Sequence, residues 1–304
     1  MPTILLFVAL VAVTAFLAAW AHAAQRSRGL AVTLYAFFTL VSLGLIIFGA
    51  MTLSRGEPRG YPFLALGIGI ALPLIGPFRR LLARMMPFDP SSIPDMVGLS
   101  ILLGIALYLT TLNIVGPGAA VTAVGVTELV TQSLTFVLIS YLGVGALISR
   151  SIPSATERLG LHVPTLRQTI IALSLVVVAF LITATSSILM GVFQPELRKE
   201  IEQGLVQMTE QVSTFSGALI LGLSAGIGEE ILFRGAIQPR YGIIFTSLVF
   251  SLFHVQYGFS LVVLGIFLVG ILFGLERQRM NTTTAIITHL VYDTIAVVVT
   301  SLAR

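Results

Sequence analysis

The chain has 304 residues, 56% of them hydrophobic and only 10% charged, with a mean hydropathy of +1.01. A soluble domain carries about 25% charged residues, so a water-soluble enzyme and a disordered chain are both excluded. The net charge of +4 comes from scattered residues rather than a basic stripe, which argues against a nucleic-acid surface, and the lack of cysteine removes disulfides, thiolate metal sites and cysteine nucleophiles.

A bilayer core needs about 20 apolar helical residues per crossing. In chain order, charge-free runs of that kind occupy 2–24, 30–53, 61–78, 96–115, 129–149 and 169–193. Further candidates follow at 213–236, 239–256, 259–275 and 282–303. The expected fold class is therefore all-α, a polytopic transmembrane bundle of about ten spans, with eight or nine as the alternatives. The weakest are the run holding Pro73 and Pro77 and the pair divided at Gln256–Gly258. The first run lacks a basic flank and exceeds a signal-peptide core, so it is read as a retained helix.

Loop charges give an orientation. With the N-terminus outside, inner loops hold Arg26, Arg28, Arg79, Arg80, Arg84, Arg150, Arg158, Arg167, Arg234, Arg240, Arg277 and Arg279. The outer side keeps Arg55, Arg59, Arg198, Lys199 and Arg304. This bias predicts a multi-pass cell-membrane protein with both termini outside. The Pro- and Ser-rich loop 85–95 divides residues 1–90, N-terminal helices of unassigned role, from 91–304. Within the polar insertion 194–212, Leu197, Ile201, Leu205 and Met208 recur at helical spacing and predict an amphipathic helix on the outer surface.

Most acidic residues fall in loops; Glu229, Glu230 and Asp293 do not. Each interrupts an apolar run, where a charge costs about 2.5–3.5 kcal/mol near mid-bilayer. His254 and His289 are embedded likewise. At 1.5 Å rise per residue these groups lie roughly 10–18 Å inside the inner ends of three helices. They can therefore meet. Glu230 and Arg234, as i and i+4, suit a structural ion pair, which leaves Glu229 as the free carboxylate directed at the histidines. A carboxylate beside an imidazole can deprotonate water, and the second histidine with Asp293 can stabilise an oxyanion. Two histidines and a carboxylate, His254, His289 and Glu229, also make a zinc alternative; the absence of HExxH and the origin of the residues on three helices favour a metal-free site without a cofactor.

The motifs EEILFR (Glu229–Arg234), FSLFH (Phe250–His254) and HLVYD (His289–Asp293) resemble the EExxxR, FxxxH and HxxxN/D series of the CPBP family of intramembrane proteases, which includes the type II CAAX prenyl endopeptidases. The likeness covers about 213–300. It implies an intramembrane endopeptidase acting on a membrane-associated protein or peptide. Glu229 and His254 would activate water, and His289 and Asp293 would stabilise the oxyanion, in a site opening toward the inner side. Asp293 departs from the asparagine form of the third motif; an ionised aspartate cannot donate a hydrogen bond, so it must be protonated, orient His289 or bind a cation. Two other function classes compete: a proton- or ion-coupled transporter, since Glu/His/Asp chains also relay protons, and a non-proteolytic scaffold on the same fold. Inverted repeats would favour the transporter, but the polar groups sit wholly in the last third.

Overall fold

The computed structural model describes residues 2–115 and 123–302, and among these the architecture is all-helical. Gly116–Pro117–Gly118 and Arg304 lie outside the described residues. The helices are α1 (Pro2–Ala24), α2 (Arg28–Ser54), α3 (Gly60–Ala71), α4 (Gly76–Leu82), α5 (Ile93–Val115), α6 (Val126–Gly143) and α7 (Ile152–Arg158). They continue with α8 (Leu166–Phe193), α9 (Pro195–Met208), α10 (Phe215–Glu230), α11 (Gln238–Tyr241), α12 (Ile243–Leu252), α13 (Leu261–Arg279) and α14 (Thr282–Leu302).

Eight helices among the described residues are long and apolar enough to cross a membrane, or nine with one bent pair. Of the counts expected from the sequence, the alternatives of eight or nine hold, and the two weakest runs account for the difference from ten. Residues 60–82 form two helices bent by 88°. Pro77 has no N–H to offer the Pro73 carbonyl four residues back, and Ile75 becomes extended (ψ 110°). The guanidinium of Arg79 donates to that carbonyl instead, and its Nε donates to the Pro90 carbonyl at 2.9 Å. The second run is 239–256, where α12 supplies only ten helical residues before His254 turns out of the helix (φ −90°, ψ 50°).

Two ends of the bundle differ. Arg158, Arg234, Arg240 and Arg277 gather at one, the arginine end. There Arg240 pairs with Asp95 at 2.9 Å, and the Tyr241 hydroxyl donates to the Asp95 carbonyl at 2.9 Å, fastening α11 to α5. Arg158 feels burial and the charges of Arg240, Arg277 and Arg150, which lower its pKa to about 10. The other end carries α9, whose amphipathic pattern the sequence predicts. Gln194 before it accepts the Leu261 N–H at 3.0 Å, and the Met208 carbonyl accepts the Val124 N–H at 3.0 Å. Helices α1 and α2 pack on α5 through Ala21, Ala24, Leu34, Phe38, Met96 and Val97.

Without an apolar solvent difference to drive helices together in lipid, close backbone approach decides packing. Gly222 and Gly226, one turn apart on α10, lie against the backbone of α14. A Cβ at Gly222 would come within 2.5 Å of the Leu290 carbonyl, and one at Gly226 within 3.0 Å of the Leu290 nitrogen. That contact draws Glu229 and Glu230 to the level of His289 and Asp293.

Candidate active site

After Glu230 the helix widens into a π-turn, Ile231–Ile237, before resuming as α11. Such turns are uncommon and leave carbonyls in need of donors. Two arginines supply them. Arg277 Nε donates to the Arg234 carbonyl at 3.1 Å, and Arg158 Nη1 donates to the Gly235 carbonyl at 3.2 Å. Pro239, four residues beyond Gly235, has no N–H for that second carbonyl.

Glu230 and Arg234 are both wholly buried, with Nε 3.1 Å from Oε2. The guanidinium lies 4.9 Å from the ring centre of Phe250, a cation–π contact. The structure extends the sequence reading here: Glu230 is more than the partner of Arg234. Its Oε1 lies 2.9 Å from His289 Nδ1, while Asp293 Oδ2 lies 3.3 Å from Nε2 of the same ring. Both ring nitrogens therefore face carboxylate oxygens. Pairing at both requires an N–H on each nitrogen or a proton on one carboxyl group. Phe273 stacks on the imidazole at 5.0 Å between ring centres.

His254 is held differently. Its Nδ1 lies 2.9 Å from the Phe250 carbonyl. A carbonyl can only accept, so Nδ1 carries the hydrogen and Nε2 of the neutral ring keeps its lone pair. The Phe of FSLFH thus contributes a carbonyl to His254 and a ring face to Arg234.

Glu229, on the other side of the helix, has no partner for its buried Oε2. It lines a cavity of about 360 Å³ together with His254, His289 and Asp293. Convergence of the four residues is thus a feature of the structure, and Glu230 and Arg234 seal the level beneath. The cavity's direction is a correction. Glu229, Phe250, Phe273 and His289 form the floor, and the remaining wall rises toward Leu205 and Met208 of α9 and Thr300 of α14. It extends away from the arginine end, whereas the sequence reading has the site opening toward the arginine-rich side.

Zinc would need three protein donors and an open position. Here His254 offers Nε2, whereas Nε2 of His289 lies against Asp293 and would have to leave it to bind the ion. Among the described residues, no three His, Asp or Glu side chains are grouped to hold a metal.

Residues 211–295 match a family model described as type II CAAX prenyl endopeptidase Rce1-like. The match spans all three motifs. It stops short of α1–α9. No curated protein and no solved structure matches the chain.

Several groups near the site escape a reading by motif. Glu276, placed in a loop by charge counting, is 3% exposed and accepts from Thr288 Oγ1 at 2.8 Å, joining α13 to α14 beside His289. Its signal was the Thr284–Thr288 spacing on α14. Gln132, Tyr257 and Tyr292 line the cavity; Gln132 alone carried a sequence signal, as an amide within an apolar run. Gln132 and Glu229 also border a smaller void of about 30 Å³, room enough for a water molecule.

Proposed function

We propose that the chain is an intramembrane endopeptidase that hydrolyses a peptide bond of a membrane-associated protein or peptide with activated water. The observation that carries this reading is the pairing, in one cavity, of an unpartnered carboxylate, Glu229, with an imidazole whose Nε2 lone pair is left available, His254. The match over 211–295 supports it. Glu229 is the general base, with His254 holding the water and sharing its proton. The water oxygen bonds to the scissile carbonyl carbon, and its proton passes through this pair to the leaving nitrogen as the C–N bond breaks. His289 stabilises the oxyanion by turning its Nε2–H from Asp293, a long contact at 3.3 Å, to the substrate oxygen. Asp293 acts through His289, so its lack of an amide donor does not obstruct the step. No metal takes part.

The Arg and Lys distribution supports placing the arginine end in the cytoplasm, with α9 and both termini outside. The deciding experiment is incubation of a membrane-protein library with the unsubstituted protein and with Glu229→Gln, each with and without chelator. Products from the unsubstituted protein alone, insensitive to chelator, are expected. Equal products from Glu229→Gln would overturn the mechanism, and loss with chelator would overturn its metal-free form. A transporter would show pH-dependent uptake in liposomes and no product.

A further inference from the structure

The arginine end gathers positive charge that the protein itself does not balance. Arg158 on α7 and Arg277 on α13 donate to consecutive carbonyls of the π-turn, Gly235 at 3.2 Å and Arg234 at 3.1 Å, so their guanidinium groups lie side by side. Arg240 and Arg150 are close enough for their charges to act on Arg158 as well. Like charges held together repel, and each guanidinium has N–H groups to satisfy. One carboxylate answers them, Asp95, and it is already 2.9 Å from Arg240. Asp89 accepts the Ser91 N–H at 2.8 Å, and the exposed Glu157 forms no ion pair among the described residues. The remaining residues of the chain include no Asp or Glu. Beyond the two carbonyls, the N–H groups of Arg158 and Arg277 have no acceptor among the described residues. An anion can therefore bind them without releasing the π-turn.

The same end presents apolar side chains outside the spans. In the turn after α6, the Leu147 N–H donates to the Arg150 carbonyl at 2.9 Å. Leu147 has φ +63°, a left-handed conformation that suits glycine or asparagine, and its side chain is 79% exposed. Ile152 on α7 and Val163 after it are exposed too. A turn facing water gains nothing from leucine on strained backbone, whereas a turn at the bilayer interface buries that side chain in lipid. Guanidinium groups beside apolar side chains match a phospholipid, anionic at its phosphate and apolar in its chains, better than a free anion.

We infer that Arg150, Arg158, Arg240 and Arg277 hold the phosphate of an anionic phospholipid, with its chains against the loop at Leu147 and Ile152. Because Arg158 and Arg277 also hold the π-turn that follows Glu229 and Glu230, the bound lipid steadies that turn.

The test uses the full-length protein in neutral detergent, titrated with phosphatidylglycerol or with phosphatidylcholine of the same chains. Retained lipid is read by native mass spectrometry, and thermal unfolding is followed in parallel. One phosphatidylglycerol is expected to be retained at least about tenfold more tightly than phosphatidylcholine and to raise the melting temperature. In Arg150→Gln/Arg158→Gln this preference should fall toward parity. Arg26→Gln/Arg28→Gln removes the same charge from the exposed α1–α2 turn at the same end, beside Gln25, which accepts the Ile93 N–H at 2.7 Å, and should keep the preference. Equal retention of the two lipids, or an equal fall in both double variants, would overturn the site. Retention without a rise in melting temperature would overturn the link to the π-turn. Leu147→Asn suits its backbone and keeps every arginine, so it tests the site even where the first double variant fails to fold. It should weaken retention of phosphatidylglycerol, and unchanged retention would overturn the place given to the lipid chains. Inorganic phosphate at the same concentration should leave the lipid bound; complete displacement would overturn the lipid as occupant in favour of a free anion.

Discussion

Glu229 and Glu230 are neighbours on one helix, yet they belong to two different regions of the molecule. Glu230 faces the arginine end, where packing is tight: Arg234 and Phe250 close one side of it and His289 the other. Glu229 faces the α9 end, where α6, α8, α10, α13 and α14 leave a cavity between them. In the lower region Glu230 lies against Arg234 and His289, and Arg277 and Arg158 serve the orphan carbonyls of the π-turn, while both Nη atoms of Arg234 make no hydrogen bond among the described residues. In the upper region Glu229 and the Nε2 of His254 remain uncommitted. Two residues of the same chemistry, about 100° apart around a helix, thus differ in what surrounds them, and that surrounding separates a structural ion from a candidate base.

The sharpest way to break this comparison is to exchange the effects of the two acids. Glu229→Gln should lower peptide hydrolysis by about 10²- to 10⁴-fold, the range for losing a general base, with an unchanged melting temperature. An equally large stability loss would place Glu229 with the structural groups. Glu230→Ala should do the reverse first, leaving Arg234 buried without its counter-ion. A stability loss of about 3–5 kcal/mol is expected, read as lower folded yield and earlier thermal unfolding in detergent.

Smaller effects sharpen the same contrast. Gly226→Leu forces a side chain between α10 and α14 and should cost about 1–3 kcal/mol by overpacking. Because it separates Glu230 from His289, hydrolysis should fall more than stability alone would explain; a stable, fully active variant would show that this approach does not position the site. Thr165→Ala removes the capping box at the start of α8, where Thr165 and Gln168 satisfy each other's backbone N–H groups. It should cost about 1 kcal/mol in unfolding measurements and leave hydrolysis unchanged.

How much of this was legible beforehand varies residue by residue. The five ionisable groups in apolar runs were visible because each carries a cost that the surrounding composition makes plain. The i, i+4 relation of Glu230 and Arg234 is local, so their pairing was legible too. The contact of Glu230 with His289 was not, because it joins residues 59 positions apart and depends on how closely Gly222 and Gly226 let α14 approach. The short length of α12 was hidden for another reason. Its apolar run continues past His254, but the backbone turns there, so hydropathy registers composition and misses the end of the helix. Pro73 and Pro77 did announce a weak span, and a bend stands there.

Composition and periodicity alone determined that the protein is a multi-pass helical bundle and that its candidate site lies in the last third. Both follow from local costs: burying a charge in lipid and leaving a backbone group unpaired. Only the tertiary structure decided that Glu230 also reaches His289, and toward which end the cavity extends. Those outcomes depend on the space left between helices, and that space is set by distant side chains meeting across the bundle.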